Sequence, residues 1–139
     1  MKLTVIGQWG GYPKAGEAST GYLLEHNGFK LLIDCGSGVL SHLQHHVEAA
    51  EIDAVLLSHY HPDHVADLGV LQHALLIQYF LGKNKGTLPV YAHREDQRGY
   101  DTITYKDLMK AHEYKEDTSL SIGPFTVTFV KAKHPVPCY

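Results

Sequence analysis

The sequence predicts an α/β fold with strands and helices in layers. Three observations carry this expectation. Strand-like and helix-like periodicities alternate along the chain, an Asn27-Gly28 turn joins two apolar runs, and a continuous apolar run at 54–57 precedes a long stretch of helical spacing. Residues 2–6 read as the opening strand. The following Gly7-Gln8-Trp9-Gly10-Gly11-Tyr12-Pro13 is a loop punctuated by glycine and proline. Strands at 21–25 and Phe29–Ile33 meet at Asn27-Gly28, because a tight hairpin needs positive φ at both central residues and these two tolerate it best.

A helix is expected over 41–50, where Leu40, Leu43 and Val47 share one face. The run at 54–57 has no polar alternation, which suits a strand covered on both sides. Residues 63–81 then read as one long helix with Val65, Leu68, Leu71, Leu75 and Leu76 at helical spacing and Gly82 in the C-terminal cap position. A strand at 88–92, a helix at 104–112, and paired strands at 119–122 and 125–130 complete the series. Gly123-Pro124 turns that last pair, and Phe125, Val127 and Phe129 alternate with Thr126 and Thr128.

Length argues for one domain, and 44% hydrophobic with 19% charged residues is an ordinary globular composition. A net charge of −3 gives no broad footprint for nucleic acid, although Lys83, Lys85, Arg94 and Arg98 are candidates for a local patch or simply a solvated surface. Two cysteines, Cys35 and Cys138, make no disulfide framework, and the N-terminus runs straight into a strand without a signal-like apolar core. The most apolar stretch, 68–81, contains Gln72, His73 and Gln78 and is too short to span a bilayer. A cytoplasmic protein without a membrane partner is therefore expected.

The chemistry concentrates in His59-Tyr60-His61-Pro62-Asp63-His64, directly after the apolar run. Such an H-x-H-x-D-H pattern would arise by chance in roughly 0.4% of chains of this composition, so a histidine-rich loop is a poor explanation. In extended backbone alternate side chains point the same way, so His59 and His61 can share one metal. Pro62 keeps His61 extended and suits the first position of a helix, which turns Asp63 and His64 toward a second point. These nitrogen and oxygen donors fit Zn²⁺ or a similar divalent ion. No serine-histidine-aspartate nucleophile or P-loop is visible, leaving metal-activated water as the one advertised nucleophile. Asp63 could ligate an ion or orient that water and pass a proton.

At these residues the chain resembles the metallo-β-lactamase fold superfamily. The motif follows a strand, a hairpin ending in Asp34 precedes it, and His134 in Lys133-His134-Pro135 follows a long strand. The order and spacing look most like the ribonuclease Z-like branch. The resemblance implies a layered αβ/βα sandwich, with residues 1–139 supplying its first half and the start of the second. It assigns His59, His61 and His134 to one ion, Asp63 and His64 to a second, and Asp34 to supporting the ligands from behind. For His134 a surface histidine, and for Asp34 a turn-capping role, are the competing readings.

The branch's bridging aspartate and last histidine are expected beyond Tyr139. One or two Zn²⁺ ions, or Mn²⁺, are the implied cofactors, and a phosphodiester, RNA or a small molecule the implied substrate. The superfamily also acts on thioesters, lactones and β-lactams, and a non-catalytic metal-binding module is the reading from another class; such a half-fold would need a second copy or a missing segment to cover its edges. Trp9 and Tyr12 could line the site or pack. His26, His42, His45, His46, His73, His93 and His112 read as surface or core residues, with His93 the candidate for substrate contact. Cys35 reads as a small buried residue at a strand end.

Overall fold

The computed structural model describes every residue except Asn84. Six strands form one sheet in chain order, β1 (Lys2–Gly7), β2 (Gly21–His26), β3 (Phe29–Ile33), β4 (Ala54–Leu56), β5 (Leu88–His93) and β6 (Met109–Tyr114). β1 to β3 are antiparallel and β3 to β6 parallel. The hairpin turns at Asn27 (φ 50°) and Gly28 (φ 81°), which fixes the register Leu23↔Leu32. A second, two-stranded sheet is made by β7 (Ser119–Ile122) and β8 (Phe125–Thr128). The architecture is thus the mixed α/β sandwich that the sequence predicts.

Period-two alternation explains how both faces of the large sheet are covered. Leu23, Leu32, Val55 and Val90 point into the main core, where they meet Val39, Leu43, Leu71 and Leu75. Their neighbours Leu31 and Ala54 point the other way, against Ile122, Phe125 and Val127 of the small sheet. Each fully buried aliphatic side chain contributes about 1.5–3 kcal/mol, so this alternation holds both layers.

The helices differ from expectation in instructive ways. The helix expected at 41–50 is α1 (Val39–Leu43), followed by a separate 3₁₀ turn at Ala49–Glu51. Leu40, Leu43 and Val47 are all buried as expected, but Glu48 and Glu51 form a capping box that restarts the chain. The long helix expected at 63–81 is two pieces, α2 (Pro62–Val65) and α3 (Leu68–Phe80). Tertiary bonds cause the break. The Asp63 carbonyl accepts from Thr20 N–H (3.1 Å), the His64 carbonyl from Cys35 N–H (2.7 Å), and Asp67 N–H donates to the Cys35 carbonyl (3.0 Å). Helical partners are thereby diverted to neighbouring loops.

The helix expected at 104–112 is wrong: residues 109–114 are strand β6, paired with β5 from Leu88↔Met109 to His93↔Tyr114. Met, Lys, Ala and Glu favour helix on their own, but pairing with β5 and burial of Met109 and Tyr114 override that preference. The crossover helix is instead α4 (Gln97–Asp101), whose Asp96 cap accepts from Gly99 N–H at 2.9 Å. The strand expected to run to 130 ends at Thr128, and Phe129 stacks on Tyr114 at 3.8 Å.

Asp67 is not a free surface carboxylate, since its Oδ2 accepts from Leu40 N–H at 2.9 Å at the start of α1. Asp67→Ala is expected to lower stability by about 1.5–3 kcal/mol, the usual worth of a hydrogen bond to a charged group. Urea unfolding checks this; an unchanged midpoint would contradict it. No helix among the described residues is long and apolar enough to cross a membrane.

Candidate metal centre

Asp34, Ser58 and His93 stand at the carboxyl ends of β3, β4 and β5, the rim where open parallel sheets place their ligands. Asp34 has φ 57°, a left-handed conformation that folds its buried side chain back beneath Ser58. Its Oδ1 accepts from Ser58 N–H (2.8 Å), and its Oδ2 accepts from Ser58 Oγ–H (2.8 Å) and lies 2.8 Å from His64 Nδ1. The carboxylate thus reaches across to the motif.

The motif leaves β4 extended, and Pro62 opens α2 with His61 as its cap. The tail folds back to it: Ala132 N–H donates to the Cys138 carbonyl (2.8 Å), and Tyr139 N–H to the Ser58 carbonyl (3.3 Å). This places His134 over the motif. One ring nitrogen each from His59, His61 and His134 lies within 4.8 Å of the others, forming a cluster able to coordinate a metal ion.

Asp63 and His64 stand beside this cluster. His64 Nε2 is 3.5 Å from Asp63 Oδ2, and the rings of His59 and His64 are 4.0 Å apart. The N–H of Gly11, in the first loop, donates to Asp63 Oδ2 at 2.7 Å, so that loop reaches the site. Tyr12 on the same loop is 80% exposed, so it packs little against the described residues.

The electrostatics follow from burial and these partners. Burial is the main cause that pulls His59 down to about 4, reinforced by the charges of His64 and His61. Burial also opposes charge on His64, but the hydrogen bond and charge of Asp34, with the charge of Asp63, outweigh it and raise its pKa. For Asp63, burial acts upward, yet the Gly11 N–H and the neighbouring imidazoles hold the carboxyl below its usual range.

The donor set fits a divalent ion. Zinc with bonds of about 2.0–2.1 Å and tetrahedral angles holds its donors about 3.4 Å apart. His61 Nδ1 and His134 Nε2 approach to 3.1 Å, and His59 Nε2 is buried with no hydrogen-bond partner among the described residues. A buried lone pair without a partner is costly unless something binds it.

Other candidates fall elsewhere. His93 is buried among the rings of Tyr60, Tyr114 and Tyr139. Cys35 is buried, and burial pushes its thiol well up. Lys83 pairs with Glu48, Lys85 with Asp53, and Arg94 donates to Gln97, so these cations are engaged separately. Sequence reading missed Ser58 and Gly11; the first is an ordinary serine before the motif, and the second acts through its backbone.

Residues 16–138 match the Metallo-beta-lactamase superfamily. The chain belongs to that superfamily. Within the superfamily it is 52% identical over 139 residues to "Probable metallo-hydrolase YhfI" of Bacillus subtilis, covering all of this chain and 57% of the relative. The crystal structure of the metallo-beta-lactamase fold protein YhfI superposes with a TM-score of 0.96 and 50% identity, over 99% of this chain and 56% of that one. "Ribonuclease Z" of Methanopyrus kandleri is 32% identical over 138 residues, covering 99% of this chain and 48% of the relative. The chain thus spans about half the length of these curated relatives. The superfamily fold thus occurs together with a histidine cluster able to coordinate a metal ion.

Proposed function

We propose that the chain carries the metal-binding part of a hydrolase acting on phosphodiesters, in the manner of ribonuclease Z. The observation that supports this reading is the side-by-side placement of two donor sets, His59, His61 and His134 in one and Asp63 with His64 in the other. Zn²⁺, or Mn²⁺, held there would polarise a phosphoryl oxygen and lower the pKa of water. Paired sites of this kind suit in-line displacement at phosphorus. The 32% identity to a ribonuclease Z over nearly the whole chain favours phosphodiesters over thioesters, lactones or β-lactams.

The residues divide the work. Asp63 is kept anionic and is held at one oxygen by Gly11, which leaves it to ligate, aim the attacking water and take its proton. Asp34 orients His64 so that Nε2 faces Asp63. The free thiols Cys35 and Cys138 suit a cytoplasmic setting. RNA, or a smaller phosphodiester, is the substrate in this reading.

The full-length, metal-loaded protein should hydrolyse bis(p-nitrophenyl) phosphate faster than a thioester or a β-lactam. Preference for either of the latter would overturn the phosphodiester assignment. His134→Ala should weaken binding of the first ion by more than the roughly 10–100-fold that loss of an outer partner costs. Chelator competition reads this directly, and unchanged affinity would remove His134 from the site.

A further inference from the structure

We infer that Ser58 is a positioning residue: its hydroxyl sets which ring nitrogen of His59 faces the metal centre, and with Asp34 it forms one brace shared by both donor sets. This rests on reading the cluster as a metal centre. The Ser58 Oγ lies 2.8 Å from Asp34 Oδ2, 3.0 Å from His59 Nδ1 and 3.3 Å from His64 Nδ1. A hydroxyl has one proton and two lone pairs, whereas a carboxylate only accepts. The Ser58 proton therefore goes to Asp34, and Oγ presents only lone pairs to the two imidazoles.

That assignment decides both rings. His64 Nδ1 is closer to Asp34 Oδ2, at 2.8 Å, and donates there, which leaves its Nε2 facing Asp63. His59 Nδ1 has Ser58 Oγ at 3.0 Å and Cys138 Sγ at 3.6 Å. A bare Nδ1 would set lone pair against lone pair at the nearer contact, whereas Nδ1–H completes a hydrogen bond. The proton thus sits on Nδ1, and the Nε2 lone pair is the buried atom left without a hydrogen-bond partner among the described residues. One carboxylate and one hydroxyl, 24 positions apart, fix an imidazole in each donor set.

The test uses long-range proton–nitrogen NMR correlations of the metal-free protein at mildly alkaline pH, above the range in which an ordinary imidazole protonates. Wild type should carry the His59 proton on Nδ1. Ser58→Ala should move a substantial fraction of it to Nε2 and weaken binding of the first ion about 10–100-fold in chelator competition. Ser58→Thr, which keeps the hydroxyl, should restore both, and Cys138→Ala should leave the ring as in wild type. A His59 proton on Nε2 in wild type, an unshifted proton in Ser58→Ala, or a shift in Cys138→Ala alone would overturn the proposal. A wrong metal-centre reading would show differently, as wild-type protein that binds no ion while its imidazole spectrum stays as described.

Discussion

Asp63→Ala is expected to reduce hydrolysis by the full-length, metal-loaded protein at least about 10²-fold, the usual scale for a lost proton-transfer group. The second donor set would shrink to His64, and the water would lose the carboxylate that aims it. Stability should change little by comparison, because Asp63 lies at a loop–helix junction and its removal opens no core cavity. The losses are the 3.5 Å pairing with His64 and the hydrogen bond from Gly11 N–H, and that N–H lies on an exposed loop where water can replace the carboxylate. Asp67→Ala should behave oppositely, with lower stability and retained chemistry, because its carboxylate holds the start of α1. Rates at equal metal content, alongside urea midpoints, separate the two. Near-wild-type turnover in the Asp63 variant would make the cluster structural.

Gly36→Ala is expected to be severely destabilising. A Cβ at Gly36 would sit 1.9 Å from the Asp63 carbonyl oxygen and 2.7 Å from its carbon. The obstacle is backbone, and it has little room to yield. The Asp63 carbonyl already accepts from Thr20 N–H, and Gly36 N–H donates to the Thr20 carbonyl at 3.0 Å. Overpacking costs about 1–3 kcal/mol when side chains can adjust, and here the main chain must move, so a loss of about 3 kcal/mol or more is expected. The shift would also carry Asp63 and His64 away from His59. Gly69→Ala is the control, since nothing lies within 4 Å of its Cβ on the exposed face of α3. It should gain about 0.5–1 kcal/mol from helix propensity. Equal urea midpoints for Gly36→Ala and wild type would refute the steric argument.

Much of this molecule is legible in its sequence where local chemistry dictates structure. Asn27-Gly28 specifies its turn, 54–57 specifies a buried strand, and the spacing of His59, His61, Asp63 and His64 specifies clustering before any contact is known. His134 was reachable through its place after a strand. What escaped depends on distant partners. Nothing local in 63–81 says that the carbonyls of Asp63 and His64 answer to Thr20 and Cys35 rather than to their own helix. Residues 109–114 favour helix until β5 lies alongside them. Ser58 gains meaning only once Asp34 is folded beneath it.

Besides the Asp34 and Ser58 side chains at His64, the turn bearing Asp63 and His64 is gripped by main-chain groups: the N–H of Gly11, Thr20 and Cys35, and the carbonyl of Cys35. Main-chain donors are the same whatever side chain their residue carries. The first loop can therefore exchange Trp9 or Tyr12, which stand 38% and 80% exposed, without unhitching Asp63. Outward side chains and the inward amide that meets Asp63 are in this way carried by separate parts of the same loop. Mutational drift can explore the outward side chains while the inward amides keep Asp63 and His64 in place.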